Sequence, residues 1–486
     1  MRISALSLAV LGCLAAGSCR RPPSALDRLT PCRIDEGPAD GYCGSLEVFE
    51  DRARGSGRKI KLKIIVMPAL RRDPRPDPLF IFAGGPGQGA AKIHKAILST
   101  FRRVQNDRDI VLVDQRGTGD SNPLNCELPE AEQDRLDDIE EVRVDVLRKC
   151  LAGFDADPRL YVTRIAMDDI DDVRRHLGYG EINLWGGSYG TRAALVYLRQ
   201  HGENVRSVIL DGVAPVDMAL PLHMAADSQR SLDLLIADCE KDEQCSARFP
   251  ELRRKMNEVF ARLEGGKRVN LTHPRTGERA SPVITRAGVA AVIMKMLYAP
   301  AVASLLPHLI EQAAGGDFQG LLASAFVFEG AEEKMSQGMF YSVICSEDVP
   351  RLTDGAVRDA ASRTYIPPKV FEGMLKPCEF WPRGEVGAAY YEPVSSNKPV
   401  LILSGELDPV TPPAWGDHVA RHLVNAKHIT VPGTGHGASG VGCVPKLIEQ
   451  FLRDPNPAAL DASCAKKRIR PAFFLNHAGP GAGGAR

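Results

Sequence analysis

The stretch Ile182-Asn-Leu-Trp-Gly-Gly-Ser-Tyr-Gly-Thr191 constrains this chain more than any other. An apolar, strand-like run leads into Gly186-x-Ser188-x-Gly190, and Thr191 to Gln200 then reads as a helix, so Ser188 stands on a strand-to-helix turn. Such a turn holds the serine in a cramped backbone conformation with its hydroxyl exposed. Glycines flank it because a Cβ there would collide with the neighbouring strand and helix. In a chain with 45 glycines the bare motif can arise by chance, so its context carries the signal. The strand before it and the helix after it make a nucleophile elbow the better reading than an ordinary glycine-rich turn.

An elbow of this kind needs a parallel sheet, and the flanking sequence predicts one. Leu79 to Ala83 and Asp109 to Val113 are continuous apolar runs of the sort buried on both faces of a parallel sheet. Residues 127 to 150 are charged and helical, Thr163 to Gly178 forms a further helix, and Val205 to Leu210 supplies the next strand. Ahead of these, Leu46 to Glu50 and the alternating run Lys59 to Met67 predict an antiparallel edge. Strands and helices alternating at this spacing imply an α/β fold with a mostly parallel sheet. From about Pro215 the alternation stops. Residues 220 to 335 read chiefly as helices, including Met224 to Cys239 and Phe249 to Leu263, which predicts an inserted helical lid. Sheet signals resume at Met339 to Cys345, Lys398 to Leu403 and Ala426 to Val431. The expected organisation is an export signal over 1–18, a tether over 19–43, core over 44–214, lid over 215–338, core again over 339–470, and a Gly- and Ala-rich tail without structure over 471–486.

Lys plus Arg and Asp plus Glu number 61 each in the 486 residues, so no global field points to nucleic acid or to an anionic membrane. Arg2 followed by the apolar run Ile3 to Ala16, with Gly17 and Ser18 behind it, reads as an export signal, and no later stretch is long enough to cross a bilayer. Ala16-Gly17-Ser18-Cys19 resembles a bacterial lipoprotein cleavage box in which Cys19 carries the lipid. The alternative, ordinary cleavage near Ala16, leaves Cys19 a thiol. The expected location is periplasmic or extracellular, with membrane contact only through such an anchor. Of the 12 cysteines, those after Cys19 fall into local couples: Cys32 with Cys43, Cys126 with Cys150, Cys239 with Cys245, Cys345 with Cys378, and Cys443 with Cys464. An even set in an exported chain suggests disulfides, although spacing alone leaves the connectivity open.

A serine hydroxyl becomes nucleophilic when a histidine takes its proton, and the histidine needs an acid to hold its tautomer. His436, in Pro432-Gly-Thr-Gly-His-Gly437 directly after the last predicted strand, is the preferred base. His418 and His422 share a helix face, His428 opens a strand and His477 lies in the tail. Asp408, just past the strand Lys398 to Leu403, is the preferred acid, with Asp211 as rival and Glu406 as a weaker competitor. The oxyanion hole is expected at the backbone N–H of Tyr189 and at Gly85 in the turn Gly84-Gly-Pro-Gly-Gln-Gly89. That turn lacks a P-loop lysine and a dinucleotide spacing, and no Cys-x-x-Cys or His-Glu-x-x-His is present, so neither cofactor nor metal is expected.

With these pieces placed, the chain resembles the α/β-hydrolase exopeptidases of the prolyl and tripeptidyl aminopeptidase group, most closely the secreted tripeptidyl-aminopeptidase-like branch. The matching segments are Gly84-Gly-Pro-Gly87, Asp114-Gln-Arg-Gly-Thr-Gly119, Gly186-Gly-Ser-Tyr-Gly190, Asp408-Pro-Val-Thr-Pro412, Gly433-Thr-Gly-His-Gly437, Ile344-Cys-x-Glu347 and Cys378-x-x-Trp381. Where many prolyl aminopeptidases carry a histidine before the glycine turn, this chain has Ala83, a departure that weighs against the proline-specific subgroup. The resemblance implies hydrolysis of short peptides near their N-terminus through an acyl-enzyme on Ser188. A carboxylesterase using the same triad is the alternative, and a non-enzymatic binding protein would leave a complete triad idle. A peptidase of this kind must bind the substrate's ammonium, and Glu347, with Asp348 as second choice, is the expected acid.

Overall fold

The computed structural model describes residues 25–34, 40–126, 144–274, 276–324, 335–353 and 355–480. The export signal, Cys19, most of the charged segment before Val144 and the last six residues lie outside the described residues.

Nine strands form one sheet: β1 (Thr30–Arg33), β2 (Asp40–Phe49), β3 (Lys59–Met67), β4 (Leu79–Phe82), β5 (Ile110–Val113), β6 (Ile182–Gly187), β7 (Val205–Asp211), β8 (Val400–Gly405) and β9 (Ala426–Val431), in the order β1-β2-β3-β5-β4-β6-β7-β8-β9. β1, β2, β3 and β5 pair antiparallel, and from β5 through β4 to β9 every pairing is parallel. Leu79-Phe-Ile-Phe82 and Ile110-Val-Leu-Val113 are buried along their whole length, because helices cover both faces of the sheet. On one face Phe80, Phe82, Val111, Leu184 and Val208 meet helices α2 (Thr163–Leu177) and α3 (Tyr189–Gln200). On the other Leu79, Ile81, Leu112, Ile209 and Leu401 meet α1 (His94–Gln105) and α5 (Val444–Arg453). The period of 2 along each strand sorts neighbours to opposite faces.

Between β7 and β8 the chain builds a second core of its own. Leu232 and Leu235 of α4 (Met224–Lys241), Phe249, Phe260, Ile293, Met296, Leu309 and Ile310 pack together there. Two short two-stranded ribbons interrupt the helices, Lys267–Arg268 with Val283–Ile284 and Leu271–Thr272 with Arg279–Ala280.

Three expectations need correction. Met339 to Cys345 is helical, as Gln337–Val343 followed by a π-helical turn Ile344–Asp348, because a run buried on all sides has no periodicity to separate helix from strand. The helical insert also runs past residue 338: Val357, Tyr365, Ile366 and Phe371 belong to the lid core, and the sheet resumes only at β8. Finally, the chain from residue 471 is not loose throughout. Phe473 is buried in the lid core and the Phe474 N–H donates to the Ser304 carbonyl at 3.1 Å. At the other end the tether is partly ordered, since β1 pairs with β2.

All five local cysteine couples are disulfides: 32–43, 126–150, 239–245, 345–378 and 443–464. Among the described residues no helix is long and apolar enough to cross a membrane.

Candidate active site

β6 ends at Gly187 and α3 begins at Tyr189, leaving Ser188 between them at φ 56°, ψ −126°. A non-glycine residue holds such a conformation, worth about 1–3 kcal/mol of strain, only when its surroundings force it. Here the Ser188 N–H donates to the Asp211 carbonyl at 2.9 Å, and its own carbonyl accepts from the Thr191 N–H at 2.8 Å and the Thr191 hydroxyl at 2.6 Å. The close approach also needs Gly190, where a Cβ would lie 2.0 Å from the Phe82 carbonyl oxygen of β4. Ser188 remains half-exposed.

The ends of β8 and β9 bring the other two residues together. His436 Nδ1 lies 2.8 Å from Asp408 Oδ2. Asp408 is fully buried, and its carboxylate also accepts from the Val410 and Thr411 amides, each at 2.9 Å, and from the Thr411 hydroxyl at 2.8 Å. This is an Asx turn built from Asp408-Pro-Val-Thr411. Burial acts to raise the Asp408 pKa, but the charge and hydrogen bond of His436 outweigh it and the carboxyl titrates below its ordinary range. For His436 burial acts to lower the pKa, while the Asp408 charge and hydrogen bond, with the Asp211 charge behind them, raise it above the ordinary value.

Neither rival acid meets the imidazole; both hold its loop. Asp211 accepts from the Ala438 and Ser439 amides at 2.7 Å each, so this one residue ties the elbow to the histidine loop through its carbonyl and its carboxylate. Glu406 accepts from the Gly433 amide at 2.9 Å. From the lid, the Tyr298 carbonyl takes a hydrogen bond from the His436 amide at 2.9 Å, and the Tyr298 ring stands edge-on to the imidazole, 5.0 Å between centroids. Tyr298 is a contact the sequence carries no signal for; Thr411 lies within a motif the sequence displays.

Tyr189, directly after Ser188, opens α3, so its N–H is one of those at a helix N-terminus that have no partner within the helix. Gly85 lies in the turn after β4 at φ 107°, and a Cβ on its neighbour Gly84 would lie 3.2 Å from Ser188 Cβ. That turn therefore flanks the serine.

Glu347 and Asp348 are the site residues the structure does not offer to a ligand. Both are fully buried in the π-turn. Glu347 accepts from the Thr163 amide and hydroxyl and from the Tyr390 hydroxyl, and Asp348 takes a two-point hydrogen bond from Arg192. The strand they were expected to follow is a buried helix, which turns them inward. Of the remaining histidines, His418 bonds Asp217, His428 bonds Asp417 and Ser404, and His477 bonds Gln312. Among the described residues no group of His, Cys, Asp and Glu is arranged to hold a metal ion.

A parallel sheet wound by helices, with a strained serine after β6 and an Asp–His pair after β8 and β9, is the architecture of an α/β hydrolase. Residues 77–248 match the family described as "alpha/beta hydrolase fold" and residues 364–464 the family described as "TAP-like protein". The chain has the α/β-hydrolase fold, resembles the TAP-like family over its C-terminal portion, and is a hydrolase. It is 25% identical to the serine protease Hip1 of Mycobacterium tuberculosis, over 95% of this chain and 96% of that protein. It is 26% identical to carboxylesterase B of the same species, over 87% and 86% of the two chains. To the tripeptidyl aminopeptidase of Streptomyces coelicolor it is 22% identical over 88% and 84%.

Proposed function

We propose that this protein is an exported serine exopeptidase that cuts short peptides near their N-terminus, as a tripeptidyl or prolyl aminopeptidase does. The observation that carries the reading is the Asp408–His436 hydrogen bond, on a loop that Asp211 ties to the strained, half-exposed Ser188. His436 Nε2 takes the Ser188 proton as the hydroxyl oxygen adds to the scissile carbonyl. Asp408, bonded to Nδ1, holds the tautomer and stabilises the imidazolium. The developing oxyanion lies against the N–H groups of Tyr189 and Gly85, each donor worth roughly 3 kcal/mol of barrier. His436 then returns the proton to the leaving amine, and water repeats the sequence on the acyl-enzyme.

The lid favours short peptides over folded proteins. With Glu347 and Asp348 committed elsewhere, recognition of the ammonium passes to Asp227, a half-exposed acid on lid helix α4. The next turn of that helix sits on the Asp408 loop, with Ser231 donating to the Leu407 carbonyl at 2.7 Å. The Trp415 indole N–H donates to Asp227 at 3.1 Å. Carboxylesterase B among the relatives supports the alternative, an esterase that uses the same triad. Export is supported by the five disulfides, and Cys19 is the proposed lipid site; mass spectrometry of the mature N-terminus separates lipidation from cleavage near Ala16.

The test is release of p-nitroaniline from mono-, di- and tripeptide anilides, free and N-acetylated, beside p-nitrophenyl acetate and butyrate. Hydrolysis of free peptides that N-acetylation and Ser188→Ala both abolish supports the exopeptidase and gives the cut length. Turnover of the esters alone supports the esterase.

A further inference from the structure

Behind the elbow lies a buried polar network that the acyl-transfer steps do not use. Thr163, the first residue of α2, places its hydroxyl 2.7 Å from the Tyr189 hydroxyl and 2.9 Å from Glu347 Oε2. The Thr163 hydroxyl has one proton, and its bond to the carboxylate uses it, so Tyr189 is the donor to Thr163. The relay therefore runs Tyr189 O–H to Thr163 O–H to Glu347. Glu347 also accepts from the Thr163 amide at 2.7 Å and the Tyr390 hydroxyl at 2.6 Å, with the Arg192 guanidinium 3.6 Å away. Burial raises its pKa, opposed by the Arg192 charge, and three donors aimed at one carboxylate suit its ionised form.

Every partner in this set sits on an element that borders the serine or is tied to one that does. Tyr189 and Arg192 are on the first turn of α3. Arg192 donates to the Met218 carbonyl and to Asp348, which also accepts from the Leu220 amide, so the start of the lid is tied to the same point. Cys345, in the same π-turn, is bonded to Cys378 in the TAP-like portion of the chain. π-turns inside helices recur at functional sites, and this one brings Glu347 and Asp348 together on the elbow helix.

We infer that Glu347 is a positioning residue for the oxyanion-binding backbone of Tyr189, acting through Thr163 on the tyrosine ring and hence on the first turn of the elbow helix. The inference rests on Ser188 being the nucleophile. It reverses the role expected from sequence: Glu347 touches no substrate and sets the direction of an N–H group that does.

Glu347→Gln keeps the shape but presents an N–H₂ group to donors. Tyr189→Phe removes only the hydroxyl at the far end of the relay. Each is expected to lower kcat by about 10- to 100-fold with KM within about twofold, on esters and peptides alike, because the donor acts on the transition state of both. Since both changes break one relay, the double variant is expected to be no slower than the worse single one. Wild-type kcat in Tyr189→Phe overturns the inference, even if Glu347→Gln fails to fold. So do additive losses in the double variant, and so does a rise in KM confined to peptides with a free N-terminus, which would make Glu347 the ammonium ligand after all. The labelling rate of Ser188 by a fluorophosphonate, absent in Ser188→Ala, separates failure of this inference from failure of the nucleophile assignment: activity surviving Ser188→Ala removes the assignment itself.

Discussion

Gly405→Ala adds one methyl group at the end of β8 and should disable the histidine without touching it. A Cβ at Gly405 would lie 1.9 Å from the Gly435 carbonyl oxygen and 2.6 Å from that of Thr434, both in the loop that carries His436. Gly405 sits in a β-strand, so alanine introduces no backbone strain and the whole effect comes from the collision. Even the closest approach a Cβ tolerates, about 3 Å, requires the loop to move away by about 1 Å or more. It has little room to retreat, because a Cβ at Gly435 would already lie 2.3 Å from the Tyr298 carbonyl oxygen on the lid side. The His436 amide is bonded to that same carbonyl, and Glu406 and Asp211 hold the two ends of the loop. The displacement therefore falls on the 2.8 Å contact between His436 Nδ1 and Asp408. A misplacement of about 1 Å at a catalytic group costs on the order of 10²-fold in rate, and overpacking of this kind costs about 1–3 kcal/mol of stability. The assay is steady-state hydrolysis of p-nitrophenyl acetate and of a peptide anilide, with a thermal melt on the same sample. Turnover within about threefold of wild type at an unchanged melting temperature would refute the argument, since it would mean that the loop accommodates the methyl group without moving the imidazole.

Asp408→Asn should lower kcat by about 10⁴-fold while leaving the fold intact, as a triad loses when its histidine is left in the wrong tautomer; stopped assays over long incubations measure it. Because activity needs neutral His436 and Asp408 raises its pKa, kcat/KM in the wild type should climb with pH through an apparent pKa above 6.5, and a limb at or below that value in a pH–rate profile would contradict the assigned pair. Burial, with the Asp408 charge acting in the same direction against the Trp415 hydrogen bond, pushes the Asp227 pKa up to about 6. The native state thus holds this proton more tightly than the unfolded chain, and stability is lost as pH rises from the unfolded value of 3.8 through about 6. Asp227→Asn should be more stable than wild type at pH near 7 by about 1–2 kcal/mol after allowing for solvent screening at a half-exposed group, with the difference gone below pH ~4 by urea titration. The same variant should raise KM for peptides with a free N-terminus and leave the esters unchanged.

Much of the fold can be read from the chain. Buried parallel strands such as Leu79–Phe82 and Ile110–Val113 announce themselves as short apolar runs, and Ala426–Val431 begins and ends where its pattern does. The five disulfides join cysteines no more than 33 residues apart, so proximity along the chain and proximity in space coincide. What the chain hides is the state of segments buried on every side. In Gln337–Asp348 only Gln337 is exposed and Tyr341–Asp348 is buried throughout, so too few exposed positions recur to mark the period, which is why strand was expected where helix and π-turn stand.

The same division runs through the site. Gly186-x-Ser188-x-Gly190, Asp408-Pro-Val-Thr411 and Gly435-His436-Gly437 are local motifs: a turn that strains a serine, an Asx turn and a glycine-flanked loop each depend on neighbours in sequence, so the sequence alone singles out Ser188, Asp408 and His436 as candidates, and the structure pairs the last two. Which carboxylate meets His436, and which ones merely hold its loop, depends on where β7 and β8 end beside each other. Glu347 shows the same limit more sharply, since its meaning changes from ligand to support once Thr163, Arg192 and Tyr390 close around it from distant parts of the chain. Local backbone chemistry is written in short motifs, whereas the surroundings of a buried charge are assembled from segments that meet only in the folded protein, and those surroundings decide what the charge does.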